Sequence, residues 1–177
     1  MAGFISLADA KAQMRVRHAG EDALIQRLIN AASRAAERHS GYVAGERQHT
    51  FQFDCFDREL ELRLRPVKLD TIEIRYLDQN GQDQAFADFR AIEKHGTTRL
   101  LPAIGACWPP TIRAAGAIRV SATVGFEVND AEGAINAPEH VLHAVRVCVA
   151  KWFNDREEGP LPPAFEQLLE DERLRRV

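Results

Sequence analysis

Between Phe4 and Tyr42 the apolar positions recur at a helical period, and from about Arg47 they alternate. The chain therefore predicts two helices, a run of strands, and further helices at the C-terminal end. Ser6 followed by Asp9 approximates a capping box, with Phe4 or Ile5 placed as a hydrophobic staple, so a first helix is expected from Ser6 to roughly Val16. Arg17 to Gly20 turns the chain. Glu21 and Asp22 then put negative charge at the positive end of a second helix. Its stripe is Leu24, Ile25, Leu28, Ile29, Ala32, Ala35 and Ala36, with Gly41 positioned as a left-handed cap.

Phe51 and Phe53 open the alternating region, and Glu59 to Arg65 alternates strictly, with three leucines on one side, before Pro66 stops it. Ile72, Ile74 and Tyr76 mark the next strand. Asn80-Gly81 predicts a turn into a strand over Phe86–Ile92. Thr98–Leu101 and Ile118–Val124 complete an antiparallel sheet of about five or six strands. Between them lies the loop Gly105 to Thr111, with Trp108 as its aromatic. Pro138 opens a third long helix whose core positions are Val141, Leu142, Val145, Val149 and Trp152. Gly159 to Pro163 is a stiff elbow before a terminal helix from Ala164 to about Arg175. The fold class is α+β: a small bundle of three to four helices, with the sheet inserted between the second and third long ones. In segments, residues 1–45 are the helical pair, 46–126 the β-rich insertion, 137–158 the helix completing the bundle, and 160–177 the elbow and tail, all in one structural domain.

Composition adds little but excludes much. With 45% hydrophobic and 28% charged residues, the 177-residue chain has the make-up of a globular protein with a real core. No apolar run is long enough to span a membrane, and the N-terminal residues predict no secretory signal. Cys55, Cys107 and Cys148 are dispersed, which argues against a disulfide framework. Lys and Arg (23) are outnumbered by Asp and Glu (26), so the net charge of -3 disfavours tight duplex binding through phosphates. A surface past which DNA slides without sticking is still permitted.

Candidate chemistry is sparse. His140 and His143, with Glu139 beside them, are spaced i, i+3, whereas helical zinc pairs are commonly i, i+4, and no third ligand follows. A structural or surface role outweighs a metal role. His18, His39, His49 and His95 share no motif. The acidic groups Asp155, Glu157 and Glu158, and Glu170, Asp171 and Glu172, lie next to arginines and read as solvated helix faces. Trp108-Pro109-Pro110 could be a ligand platform, but a loop plugging the end of the sheet is the plainer reading. Neither catalytic residues nor a cofactor site nor a metal site is predicted.

Several stretches occurring in one order carry a resemblance. Ser6-Leu7-Ala8-Asp9-Ala10-Lys11-Ala12-Gln13-Met14-Arg15-Val16 is followed by Glu21-Asp22-Ala23-Leu24-Ile25 and by Ala36-Glu37-Arg38-His39-Ser40-Gly41-Tyr42. Arg63-Leu64-Arg65-Pro66-Val67 and the Gly105, Trp108, Pro109, Thr111 loop come next. Ile118-Arg119-Val120, Thr123-Val124-Gly125-Phe126, Ala137-Pro138-Glu139 and Lys151 to Glu157 complete the series. Over residues 4 to 175 this order resembles the head–tail connector (adaptor) proteins of long-tailed bacteriophages, a part that phage-derived gene transfer particles also use. Met14 and Cys107 stand at variable points of the family pattern, and the Glu127–Ala137 loop is longer than in it.

The resemblance implies a non-enzymatic structural virion protein, made in the bacterial host cytoplasm and residing at the head–tail junction. It implies a closed ring, generally of roughly twelve copies, under the portal protein. The ring extends the DNA channel without sequence-specific binding, touches no membrane, and meets a stopper or tail completion protein on its other side. In the family the C-terminal segment docks into the portal. By position that is Leu161, Phe165, Leu168, Leu169, Arg173, Arg175 and Arg176 here, whereas the residues alone equally allow the tail to fold back on its own core. Two other function classes are a DNA-packaging or nucleic-acid-binding accessory, and a small metal-dependent hydrolase built on His140 and His143.

Overall fold

The computed structural model describes residues 3–94, 96–129, 134–156 and 159–170. In chain order these form α1 (Leu7–Met14), α2 (Asp22–Ser40), β1 (Arg47–Phe53), β2 (Leu60–Leu62), a 3-10 turn (Leu69–Thr71), β3 (Glu73–Leu77), β4 (Asp83–Phe86) and β5 (Phe89–Lys94). β6 (Thr97–Pro102), β7 (Ile118–Val124), β8 (Val128–Asn129), β9 (Ala134–Ile135), α3 (Glu139–Asp155) and α4 (Pro163–Leu169) follow. The fold is α+β. Two compact units divide the chain: residues 1–46 together with 126–177, and residues 47–125.

In the helical unit, the Ser6 hydroxyl accepts the Asp9 N–H at 3.0 Å, so α1 begins on a side-chain cap. It stops at Met14, short of Val16, because Arg15 turns left-handed (φ 57°) and the Val16 N–H returns to the Lys11 carbonyl. α2 runs to Ser40 and ends on Gly41 at φ 76°, where a side chain would be strained. Ile25, Leu28, Ile29, Ala32 and Ala36 of α2 share one core with Val141, Ala144, Val145, Cys148, Val149 and Trp152 of α3. Pro138 lies just before α3 rather than in its first turn, and its carbonyl receives the Val141 N–H at 2.9 Å.

Ion pairs hold α1 in place. Lys11 Nζ lies 2.6 Å from Asp22, and Arg146 of α3 reaches Asp9 at 3.0 Å and Glu139 at 2.6 Å. Burial opposes the Arg146 charge, but the hydrogen bonds it donates to Glu139 and Asp9 prevail and hold its pKa above the usual arginine value. The terminal helix is shorter than its expected span to Arg175. α4 ends at Leu169, and residues 171–177 lie outside the described residues. Phe165 and Leu169 are fully buried in the same core, with Leu161 and Leu168 half-buried against it.

The unit spanning residues 47–125 holds two antiparallel sheets rather than one: β1-β7-β3-β4 and β2-β6-β5. The strand expected over Phe86–Ile92 is in fact two. Between them the Phe89 N–H turns back to the Ala87 carbonyl at 2.9 Å, so β4 pairs with β3 while β5 pairs with β6. The strand expected over Glu59–Arg65 is reduced to β2. Arg65 is buried and donates to the Gly96 carbonyl at 3.2 Å, and Pro66 brings no N–H to a ladder. The loop expected at Glu127–Ala137, in the other unit, carries the small β8–β9 pair.

Register fixes two unlike faces on the four-stranded sheet. Phe51 opposes Val120, and Val120 opposes Ile74; Phe53 opposes Ile118, and Ile118 opposes Tyr76. These form the apolar face. Thr50 opposes Ser121, and Gln52 opposes Arg119, which in turn opposes Arg75. This second face is polar and largely exposed.

Because Phe165 fills the helical core, Phe165→Ala is expected to cost about 3–5 kcal/mol in urea unfolding of the free chain. Leu168→Ala, at a half-buried position, should cost less than half of that. Equal, small losses at both positions would show that α4 does not pack on this core in solution.

Candidate assembly surfaces

The residues considered for chemistry do not converge. His140 is half-buried and His143 exposed on α3, and among the described residues no group of three or more His, Cys, Asp or Glu could hold a metal ion. His39 lies within α2 and meets the Phe165 ring edge-on at 6.3 Å, a packing role. His18 is 3.8 Å from Glu21 in the turn before α2. His49 stacks edge-on against Phe51 at 4.6 Å; burial, then the nearby Arg47 charge, lowers its pKa. Asp155 pairs with Lys151 at 2.8 Å, whereas His95, Glu157, Glu158, Asp171 and Glu172 lie outside the described residues.

All three cysteines are free thiols. Cys148 is buried between α2 and α3, and burial pushes its thiol up to about 12, so it packs rather than reacts. Cys107 is exposed in the loop between β6 and β7. In that loop Trp108 lies flat on Phe56 at 4.6 Å and tilted against Phe86 at 5.4 Å, while Phe56 also meets Tyr76 at 5.8 Å. Trp108 is a fastener that ties the loop both to Phe86 of β4 and to Phe56 in the connection between β1 and β2. The Thr111 hydroxyl adds a hydrogen bond to the Leu77 carbonyl, and the Ile112 N–H reaches the same carbonyl at 3.3 Å.

Two surface features were not visible in the sequence. On the polar sheet face, Asp83 accepts from Arg75 at 2.8 Å and from Arg119 at 2.7 Å, three charges from β4, β3 and β7 that register alone brings together. Hydrogen bonding from Arg75, then from Arg119, holds the Asp83 carboxyl below the usual carboxylate range. The face thus offers hydroxyls, amides and a largely compensated charge cluster, with no cationic stripe. The second feature is a cleft of about 650 Å³ along the free edge of β1, lined by His49, Phe51, Phe53, Asp57, Leu60 and Arg63 among others. The alternation at 47–65 predicts strands there, but not that β1 and β2 are the outer strands of separate sheets.

The residues expected to dock into a portal divide into three groups. Phe165 and Leu169 are buried in the helical core, Leu161 and Leu168 are half-covered, and Arg173, Arg175 and Arg176 lie outside the described residues.

Residues 4–63 match the sequence profile of the phage gp6-like head–tail connector protein family. The match takes in α1, α2, β1 and β2, the portion where the helical leader hands over to the strands. No curated protein matches significantly.

A likeness of fold to solved structures covers nearly the whole chain. A chain in the virion of the native gene transfer agent particle superposes with a TM-score of 0.75 at 21% identity, over 98% of this chain and 91% of that one. A chain in the neck of the empty particle, computed with C6 symmetry, gives 0.71 at 21% identity with the same coverage. A chain in the neck of the native particle, computed with C12 symmetry, gives 0.66 at 23% identity, over 94% and 89%.

Thiol labelling of the native protein near pH 8 should modify Cys107 promptly and leave Cys148 unmodified until the protein unfolds. Prompt labelling of Cys148 would contradict the packing described. In a carboxyl NMR titration Asp83 should titrate below the usual aspartate range, and Arg75→Gln should move its midpoint up. Since the folded value is depressed, the stability this cluster contributes is present at neutral pH and is lost as pH falls through that lowered midpoint. An Asp83 midpoint unchanged by Arg75→Gln would remove the cluster from the account.

Proposed function

We propose that this chain is a structural virion protein, a head–tail connector that forms a ring under the portal, extends the DNA channel and joins the capsid to the neck. The observation that carries the reading is the match of residues 4–63 to the connector family, backed by a fold shared with chains in the virion and neck of the gene transfer agent particle. The C12 symmetry of that particle's native neck supports a ring of twelve copies. The reading is non-enzymatic, and the partners it names are a portal protein on one side and a neck or tail completion protein on the other.

The physical chemistry suits such a part. Affinity for duplex DNA comes mainly from cations that displace condensed counterions. A chain with 23 basic against 26 acidic residues, and with Arg75 and Arg119 tied to Asp83, offers little of that. DNA can then pass without being held. A closed ring needs two different, complementary faces on each subunit, since head-to-tail contacts close by rotation.

The placement of α4 sharpens the docking proposal. Phe165 and Leu169 anchor the tail to its own subunit, so the segment that reaches the portal is the one beginning after Leu169. Its sequence, Glu170-Asp171-Glu172-Arg173-Leu174-Arg175-Arg176-Val177, has three acids followed by three arginines around Leu174, and the arginine half suits an acidic groove on the portal.

Deleting residues 171–177 should leave the melting temperature within a few degrees of the full chain, because the buried anchors remain, while abolishing co-sedimentation with portal-bearing capsids. Normal portal association by the shortened chain would refute the docking assignment.

A further inference from the structure

The face of α2 turned away from the helical core carries three arginines in one line. Ile25, Leu28, Ile29, Ala32 and Ala36 on its inner face are buried, whereas Arg27, Arg34 and Arg38 are exposed. At 3.6 residues per turn these arginines fall within about 40° of one another, opposite the buried stripe. Spaced seven and four residues apart, they stand about 10 Å and 6 Å apart along the axis. Ala23 and Ala31 lie on the same line, so nothing bulky stands between the guanidiniums.

No carboxylate of the helix answers this line. Asp22 pairs with Lys11 at 2.6 Å, and Glu37 accepts the Ala44 N–H at 2.8 Å beyond the end of α2. On the flank, Gln26 and Asn30 bond each other at 3.3 Å and bring no charge. Among the described residues, Arg27, Arg34 and Arg38 enter no ion pair. Arg63, Arg75, Arg99, Arg119 and Arg146, by contrast, each meet a carboxylate. Single unpaired arginines on a surface are ordinary. Three in line on one helix, in a chain with more acids than bases, are a local excess of positive charge.

We propose that this face of α2 meets the phosphates of duplex DNA in the ring channel. This rests on the ring reading given above, which makes DNA the polyanion that passes the subunit. Charge complementarity favours DNA over a protein partner. A row of like charges matches an evenly charged backbone, whereas a protein contact needs an apolar or aromatic anchor at its centre. Between these arginines stands only Ala31, with Gln26 and Asn30 alongside. Phosphate contacts carry no sequence information, so the face does not select a site on the DNA. So few phosphates per copy give weak binding, and each contact exchanges as the DNA moves.

The test titrates the ¹⁵N-labelled full chain with two duplexes of unrelated sequence at low salt. Chemical-shift changes should centre on Arg27, Arg34 and Arg38 and be alike for both duplexes. The logarithm of affinity should fall against that of salt with a slope of about −2.7, the value for about three phosphates neutralised. The triple variant Arg27→Gln, Arg34→Gln, Arg38→Gln should keep the parent's melting temperature, because the side chains are exposed, and should weaken duplex binding by about tenfold or more. Its rings on portal-bearing capsids, counted by electron microscopy, should form as the parent's do. No binding by the parent at low salt, shifts centred elsewhere, or equal binding by parent and variant would overturn the contact while leaving the ring intact. Loss of rings by the folded variant would overturn it too, by making this face a protein contact. If the parent itself forms no ring, the ring reading fails and the channel placement fails with it.

Discussion

The antiparallel pairing of β1 with β7 is the constraint on which the rest of this structure depends. The chain leaves the helical unit after residue 46 and re-enters it at 126, and the register from Arg47 opposite Val124 to Phe53 opposite Ile118 brings those two crossings side by side. A large insertion can interrupt the sequence of a helical unit only if its ends are held together, since otherwise α3 could not return to α2. The helical unit closes the same gap from its own side: the Phe126 N–H donates to the Val43 carbonyl at 3.2 Å, and the Phe126 and Tyr42 rings are 5.7 Å apart. Loop-closure entropy grows only slowly with length, so closing one short root leaves the insertion free to be large.

With the root closed, each unit follows from local pattern. α2 and α3 carry apolar stripes at helical spacing, and both feed one core, with Ile25 and Ile29 from α2 and Val145 and Trp152 from α3. Fully burying such a side chain stabilises by about 1.5–3 kcal/mol. That is why those stripes could be read from sequence: burial sets their identity, and burial leaves a period. The cap at Ser6, the stop at Gly41 and the α+β class were legible for the same local reasons.

What was not legible depends on partners distant in sequence. Nothing in the alternation of Phe86 to Ile92 says that the chain changes sheets at Ala87-Asp88, because period two describes a strand and not its neighbour. Asp83 looks like any turn-flanking acid until β3, β4 and β7 place it between two arginines. The tail helix could equally have been a free arm; Phe165 and Leu169 have the same spacing whether their partner is a portal or α3. His140 and His143 drew attention as a pair, yet no third ligand type joins them among the described residues.

The resulting picture is a subunit whose value is mechanical: a packed helical core, a sheet with one polar face, and a long loop fastened to the strands by stacked aromatics. Its central claim is that the chain occupies the head–tail junction as a ring. The most direct measurement is a cryo-electron microscopy reconstruction of the neck of particles assembled with this chain. The account predicts density for this fold repeated around the channel axis between portal and tail. Particles with a complete, functional neck that lacks this fold would contradict it.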